Sequence, residues 1–146
     1  VTSGGALEEQ ELHCLLAVVR DLPEDVRRRI CTSLGRLPEK HLRELERAGV
    51  RRYHHNLETS RAYYPRICST QLWEQRRDTV VRAQATGLSV CAGGLFGLGE
   101  SWEDRIDFAF SLRELGVRHV LRRAARDLAG TSGRHVPGRG RRPDDR

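Results

Sequence analysis

The chain has no methionine, a single lysine (Lys40) and aromatic side chains at only 5% of its 146 positions. It opens on Val1, which implies either a non-standard initiation codon or the cut end of a longer reading frame. No run of about 18 apolar residues is present, and residues 1–20 carry acidic groups where a secretory signal would place a basic flank and an apolar stretch. A cytoplasmic chain with no membrane partner is therefore expected. Cysteine is sparse as well: Cys14, Cys31, Cys68 and Cys91 lie far apart, which suits neither a disulfide framework nor a zinc site built on C-x-x-C pairs. In a reducing compartment they are buried thiols, or ligands gathered by folding.

What is abundant is arginine. Lys and Arg together number 26 against 20 acidic residues, giving a formal charge of +6. Clustered cations neutralise phosphates, so such a balance raises nucleic acid as a partner. The distribution argues against it. The arginines are densest over residues 118–146, whereas the preceding stretch mixes acids and arginines along helical faces, and a GC-rich gene produces the same bias. No nucleic-acid partner is expected.

The order of apolar and turn residues repeats one grammar. Residues 1–5 read as the tail of a strand and its turn, and Leu12, Leu15, Leu16 and Val19 put a helical stripe on residues 7–20. An apolar stretch over residues 26–34 ends at Gly35, and Pro38-Glu39 opens a helix carrying Leu42, Leu45 and Ala48 that Gly49 stops. Residues 50–55 then read as a strand, 73–86 as a helix stopped by Gly87, and 88–96 as a strand. Ser101 caps a further helix with Glu103 and Asp104 in its first turn, Gly116 ends it, and residues 117–121 could begin another strand. Strands alternating with helices make right-handed βαβ units and a parallel sheet, so the expected fold is α/β, part of a TIM-type (βα) barrel. Residues 1–120 form this partial barrel. Residues 121–146, rich in Arg, Gly and Pro without an apolar period, read as a disordered tail, with a shifted reading frame favoured over an ordinary basic extension.

In such barrels ligands bind at the carboxyl ends of the strands, which directs attention to residues 3–5, 31–35, 54–59 and 91–100. Cys31 and Cys91 fall on strands from which thiols can face the barrel interior, as ligands of iron and sulfide or as small apolar fillers. Cys14 reads as core packing on a helix and Cys68 as a loop residue. In Tyr53-His54-His55-Asn56-Leu57-Glu58-Thr59 a period of two puts His54, Asn56 and Glu58 on one side, an imidazole, an amide and a carboxylate suited to hydroxyls and amides. The paired His54 and His55 point to opposite faces and make poor metal partners. Gly93-Gly94-Leu95-Phe96-Gly97-Leu98-Gly99-Glu100 lacks the lysine of a Walker loop and the last glycine of a Rossmann turn, leaving close backbone approach or a packing turn. Arg76 or Arg77 could clamp a carboxylate, or simply solvate a helix face.

These pieces, in this order, resemble the biotin synthase family of radical S-adenosylmethionine (SAM) enzymes over residues 1–117. The runs that carry the resemblance are Val1-Thr2-Ser3-Gly4, Ile30-Cys31-Thr32-Ser33-Leu34-Gly35, Tyr53 through Ser60, Ile67-Cys68-Ser69-Thr70, and Val90-Cys91-Ala92-Gly93-Gly94 on to Gly99-Glu100. The resemblance implies a radical SAM barrel in which a 4Fe-4S cluster reduces SAM. The 5′-deoxyadenosyl radical so released takes hydrogen from dethiobiotin, and an auxiliary cluster, expected to be 2Fe-2S, donates the sulfur. It implies that Cys31 and Cys91 hold the auxiliary cluster, Asn56 and Glu58 the SAM ribose, Arg76 the SAM carboxylate, and that His54 faces dethiobiotin. It also implies flavodoxin or ferredoxin as electron donor and a homodimer in the full-length enzyme.

The sequence departs from the family's more familiar pattern at His54, where asparagine is usual, and at Glu58, where aspartate is usual; both replacements keep hydrogen-bonding capacity. Cys68 stands where an aliphatic residue is common and could mark a subgroup with a different auxiliary cluster. No C-x-x-x-C-x-x-C motif for the SAM cluster is present, so an internal fragment, inactive alone, is expected. The alternatives are a related radical SAM enzyme of the hydrogenase maturase or methylornithine synthase type, and a non-catalytic half barrel that serves as an interaction module.

Overall fold

The computed structural model describes residues 1–3 and 7–124. Its centre is a parallel sheet of β1 (Cys31–Thr32), β2 (Arg52–His54), β3 (Ser89–Phe96) and β4 (His119–Ala124), in spatial order β1-β2-β3-β4. Residues 1–3 add to the free side of β1: Thr2 bridges Ser33 in parallel, and the Ser3 amide donates to the Ser33 carbonyl at 2.9 Å. Helices α1 (Glu9–Asp21), α2 (Glu24–Arg27), α3 (Glu39–Arg47), α4 (Trp73–Ala85) and α5 (Trp102–Glu114) fill the connections. Strands in sequential order joined by helices are what an open arc of a βα barrel requires.

Register decides which side chains face which way. Cys31 pairs with Arg52 and Arg52 with Ser89, while His54 pairs with Cys91 and Cys91 with His119. Paired residues project on one side and the period is two, so these six share the concave face that a closed barrel would turn inward. Thr32, Tyr53, Val90 and Ala92 project the other way and are buried. There they meet the apolar stripes of the helices: Leu12, Leu16 and Val19 of α1, Leu42 and Leu45 of α3, and Val80 and Ala83 of α4.

Residues 26–34 do not form one strand. Pro23 opens the single turn α2, whose acids pair with Arg28 and Arg29 one turn on; strand β1 is confined to Cys31 and Thr32, with Ser33 bridged to Thr2. Cys14 is exposed rather than packed, because Leu12, Leu16 and Val19 already fill the buried side of α1. Beyond Gly116, β4 follows the β3 ladder as far as Ala124, four residues past the division placed at 120; residues 125–146 lie outside the described residues. Among the described residues no helix is long and apolar enough to cross a membrane.

Candidate functional site

A cavity of about 250 Å³ opens at the carboxyl ends of β1 and β2. His54, His55, Asn56, Glu58, Arg36 and Arg76 line it, with Ser3 and Ser33 at the side of the first strands. The extension of β2 creates most of this wall. From His54 to Glu58 the chain advances four residues while its partner advances three, from Cys91 to Gly94, so one extra residue is inserted as a bulge. The Leu57 and Glu58 amides both donate to the Gly93 carbonyl, at 3.0 and 3.1 Å, and Glu58 takes a φ of +72°. A non-glycine residue in the left-handed region is uncommon and is kept only where its surroundings fix it. Here the Leu95 amide holds the Glu58 carbonyl at 2.8 Å.

Arg76, in the first turn of α4, is the fixed cation of the cavity. Its Nε donates to the Tyr64 hydroxyl at 2.7 Å and its Nη1 to the Asn56 carbonyl at 3.0 Å and the Glu58 carboxylate at 3.3 Å. The loop before α4 is secured by the Trp73 indole, which donates to the Thr59 carbonyl at 3.0 Å, and by the Ser60 hydroxyl, which donates to Asp104 at 2.7 Å. Asp104 belongs to the Ser101 cap of α5, so the cavity wall is tied to two helices. Burial pushes the Glu58 carboxyl above its ordinary range, against the opposing pull of Arg76 and of Asn56, whose amide donates to it at 3.4 Å. Asn56 Oδ1 and His55 Nε2 are buried without a hydrogen-bond partner.

His54, Asn56, Glu58 and Arg76, singled out from the sequence, thus come together in one cavity. His54 and His55 both line it, although alternation along a strand separates them; the ladder runs on through the His55 and Leu57 amides, which donate to the Cys91 and Gly93 carbonyls, and the bulge falls at Leu57–Glu58. Arg77 instead pairs with the neighbouring Asp78. The glycine-rich turn is closed by its own contacts: the Glu100 carboxylate accepts from the Gly97 and Leu98 amides, each at 2.8 Å. The pattern of the sequence does not single out Arg36 or Tyr64, and it brings in His55 only as a poor metal partner of His54. Arg36 lies one residue past a stretch marked by the strand-end rule, whereas no pattern in the sequence signals Tyr64.

Cys31 and Cys91 lie on the concave face, close enough that Cys31 adds to the burial that raises the Cys91 thiol pKa. Iron–sulfur clusters commonly take four protein ligands. Among the described residues no group of three or more His, Cys, Asp or Glu is gathered to hold a metal ion, so this pair is an incomplete set. Arg76, Glu58 and the unpartnered Asn56 oxygen do fit a polar, carboxylate-bearing molecule such as SAM.

The sequence profile of the radical SAM superfamily matches residues 4–112, and the chain belongs to that superfamily. Within it the sequence is similar to biotin synthases. It is 61% identical over 120 residues to the biotin synthase of Desulfovibrio desulfuricans, covering 82% of this chain and 38% of that protein. It is 47% identical over 131 residues to that of Heliobacterium modesticaldum, covering 90% and 40%. The chain therefore spans about two fifths of the length of these relatives. Among solved structures it resembles methylornithine synthase, with a TM-score of 0.71 at 19% identity over 79% of this chain and 34% of that one. It also resembles the FeFe-hydrogenase maturase of Carboxydothermus hydrogenoformans, with a TM-score of 0.54 at 22% identity over 76% and 30%. At these identities the structural likeness concerns the fold, an arc of the radical SAM barrel.

Proposed function

We propose that this chain is the part of a biotin synthase that binds SAM and borders the sulfur-insertion site, and that it acts in the conversion of dethiobiotin to biotin. The observation that carries the reading is the cavity at the strand ends, where Arg76, Glu58 and an unpartnered Asn56 oxygen converge. In this assignment the Arg76 guanidinium, held on one side by Tyr64, binds the SAM carboxylate, and Asn56 and Glu58 take the ribose hydroxyls. His54, on the concave face, is directed at dethiobiotin.

SAM, reduced at a 4Fe-4S cluster, supplies the radical chemistry of this superfamily. Cys31 and Cys91 would supply two thiols to an auxiliary cluster of the 2Fe-2S type, whose remaining ligands, like those of the SAM cluster, lie outside the set described. The same reading places the reaction in the cytoplasm, with flavodoxin or ferredoxin as electron donor and a homodimer as the working form. It predicts no turnover by the 146-residue chain alone.

A chimera tests the reading. Residues 1–120 replace the aligned segment of the Desulfovibrio desulfuricans biotin synthase, which supplies the rest of the enzyme. The chimera is expected to support growth of a biotin auxotroph on dethiobiotin. Arg76→Gln within it should raise the KM for SAM roughly tenfold or more, the scale of a lost charge-assisted contact. A folded, reconstituted chimera that binds SAM and yet makes no biotin would overturn the assignment of substrate. One that fails to bind SAM would overturn the site.

A further inference from the structure

Helix α5 is apolar on two sides. Phe108 and Leu112 are buried against the sheet, whereas Trp102, Ile106 and Phe110 recur every four residues as a second stripe and stay 72%, 52% and 52% exposed. At 3.6 residues per turn Ile106 stands on the opposite side of the helix from Phe108, so the stripe follows the outermost line of the helix layer. In the outer ring of a βα barrel neighbouring helices meet at their flanks, and closing the barrel does not cover that line. Among the described residues α1 and α4 each leave one large apolar side chain exposed, Val18 and Val81, and α3 leaves none. A contiguous apolar patch on an otherwise charged surface marks a contact site. Trp102 is also held in place: the guanidinium of Arg105, paired with Glu100, lies 4.7 Å over its ring, and the rest of the indole is open. At the other end of the stripe an open groove of about 870 Å³ separates Asp107, Phe110 and Glu114 of α5 from Arg61, Ala62 and Pro65 of the preceding loop.

We propose that this face joins two copies of the chain, α5 packing antiparallel on α5 across a two-fold axis at Ile106, with Trp102 of each copy seated in the groove beside Phe110 of the other. Trp102 and Phe110 each lie four residues, about 6 Å, from Ile106 along the helix, so a two-fold rotation there exchanges knob and groove. Charge agrees with this pairing. The same rotation brings Glu103, next to Trp102, to the rim of the groove where Arg61 of the other copy stands, and both residues are exposed. A standard interface takes about 800 Å² from each partner. The stripe supplies its apolar centre, with tryptophan the commonest kind of anchor, and the loop wall with the charged edge of α5 supplies a polar rim. This pairing gives the homodimer of the proposed function its surface and rests on that part of the reading alone.

The test reads mass, on the reconstituted chimera, which carries the remainder of the enzyme. The parent is expected to sediment as a dimer in analytical ultracentrifugation. Ile106 meets its own copy at the axis, so Ile106→Glu and Ile106→Lys each oppose like charges and should weaken dimerisation about a hundredfold or more. An equimolar mixture of the two should restore dimers, because unlike charges then meet. Trp102→Ser, which empties the groove without adding charge, should weaken dimerisation roughly tenfold or more, and it makes the comparison if circular dichroism shows an Ile106 variant unfolded. None of these side chains lines the SAM cavity, so SAM binding should be unchanged. A monomeric parent, folded variants that all dimerise as strongly as the parent, or charge variants that stay monomeric when mixed overturns the pairing and leaves the SAM site standing. Dimers that the variants dissociate, in a chimera that makes no biotin, overturn the assignment of substrate and leave the pairing standing.

Discussion

At the scale of single residues, the thiols separate by environment. Cys68 sits on the loop before α4, its Sγ 3.6 Å from the Thr70 hydroxyl, and it is partly exposed. Hydrogen bonding from the Tyr64 hydroxyl, and then from Thr70, lowers its pKa to about 7. Cys91 is shifted the other way by burial, and then by Cys31. Because the thiolate is the nucleophile, a maleimide at neutral pH should label Cys68 well before Cys91. Peptide mapping of a time course checks this, and the fast phase should vanish in Cys68→Ser; a fast phase that survives places the reactive thiol elsewhere. The same scale separates what could be read from residue types alone. An imidazole, an amide and a carboxylate alternating as His54, Asn56 and Glu58 suit hydroxyls and amides, whereas Arg76 by itself reads as a carboxylate clamp or as a solvated helix face. His55 is hidden from the pattern, because strict alternation assigns it to the face opposite His54, and a cavity at the end of a strand is lined from both faces.

At the scale of elements, the bulge after β2 and the glycines of β3 are one device. A Cβ on Gly94 would overlap the Glu58 carbonyl, and it would stand 2.7 Å from the Phe108 ring. Gly94 is thus the residue that lets the Glu58 turn lie against β3, and the glycine pair serves a close backbone approach. Gly94→Ala should lower stability by roughly 1–3 kcal/mol, the usual result of forcing a methyl into a filled space. A urea titration reads this directly, and an unchanged midpoint would show that the bulge can move aside. Elements with a strong period were plain in the sequence: α4 runs Trp73–Ala85 and β3 runs Ser89–Phe96, each within a residue or so of the reading by pattern. β1 was not. Two residues are too few to carry a period, and the apolar Val26 and Ile30 beside them belong to α2 and its exit.

At the scale of the whole molecule, the arc is held by the apolar layer behind the sheet, while its concave face carries Arg52, His54, Ser89 and His119 beside the thiols. Buried ionisable groups at the edge of that face couple folding to pH. His55 takes a proton near pH 6.5 when unfolded and only near pH 3 when folded. Between those values the unfolded chain binds more protons, so stability falls as pH falls, with a limiting slope of about 1.4 kcal/mol per pH unit for one site. Glu58 acts in the opposite sense. Its folded pKa is raised by burial, so the folded chain binds the proton more readily, and stability gains as pH falls through that range. Urea midpoints measured from pH 7 down to pH 4 should therefore decline in the parent chain. The decline should flatten in His55→Gln, which has no titrating ring, and steepen in Glu58→Gln, which has lost the compensating carboxyl. Parallel curves for all three would mean that acid sensitivity originates elsewhere in the fold.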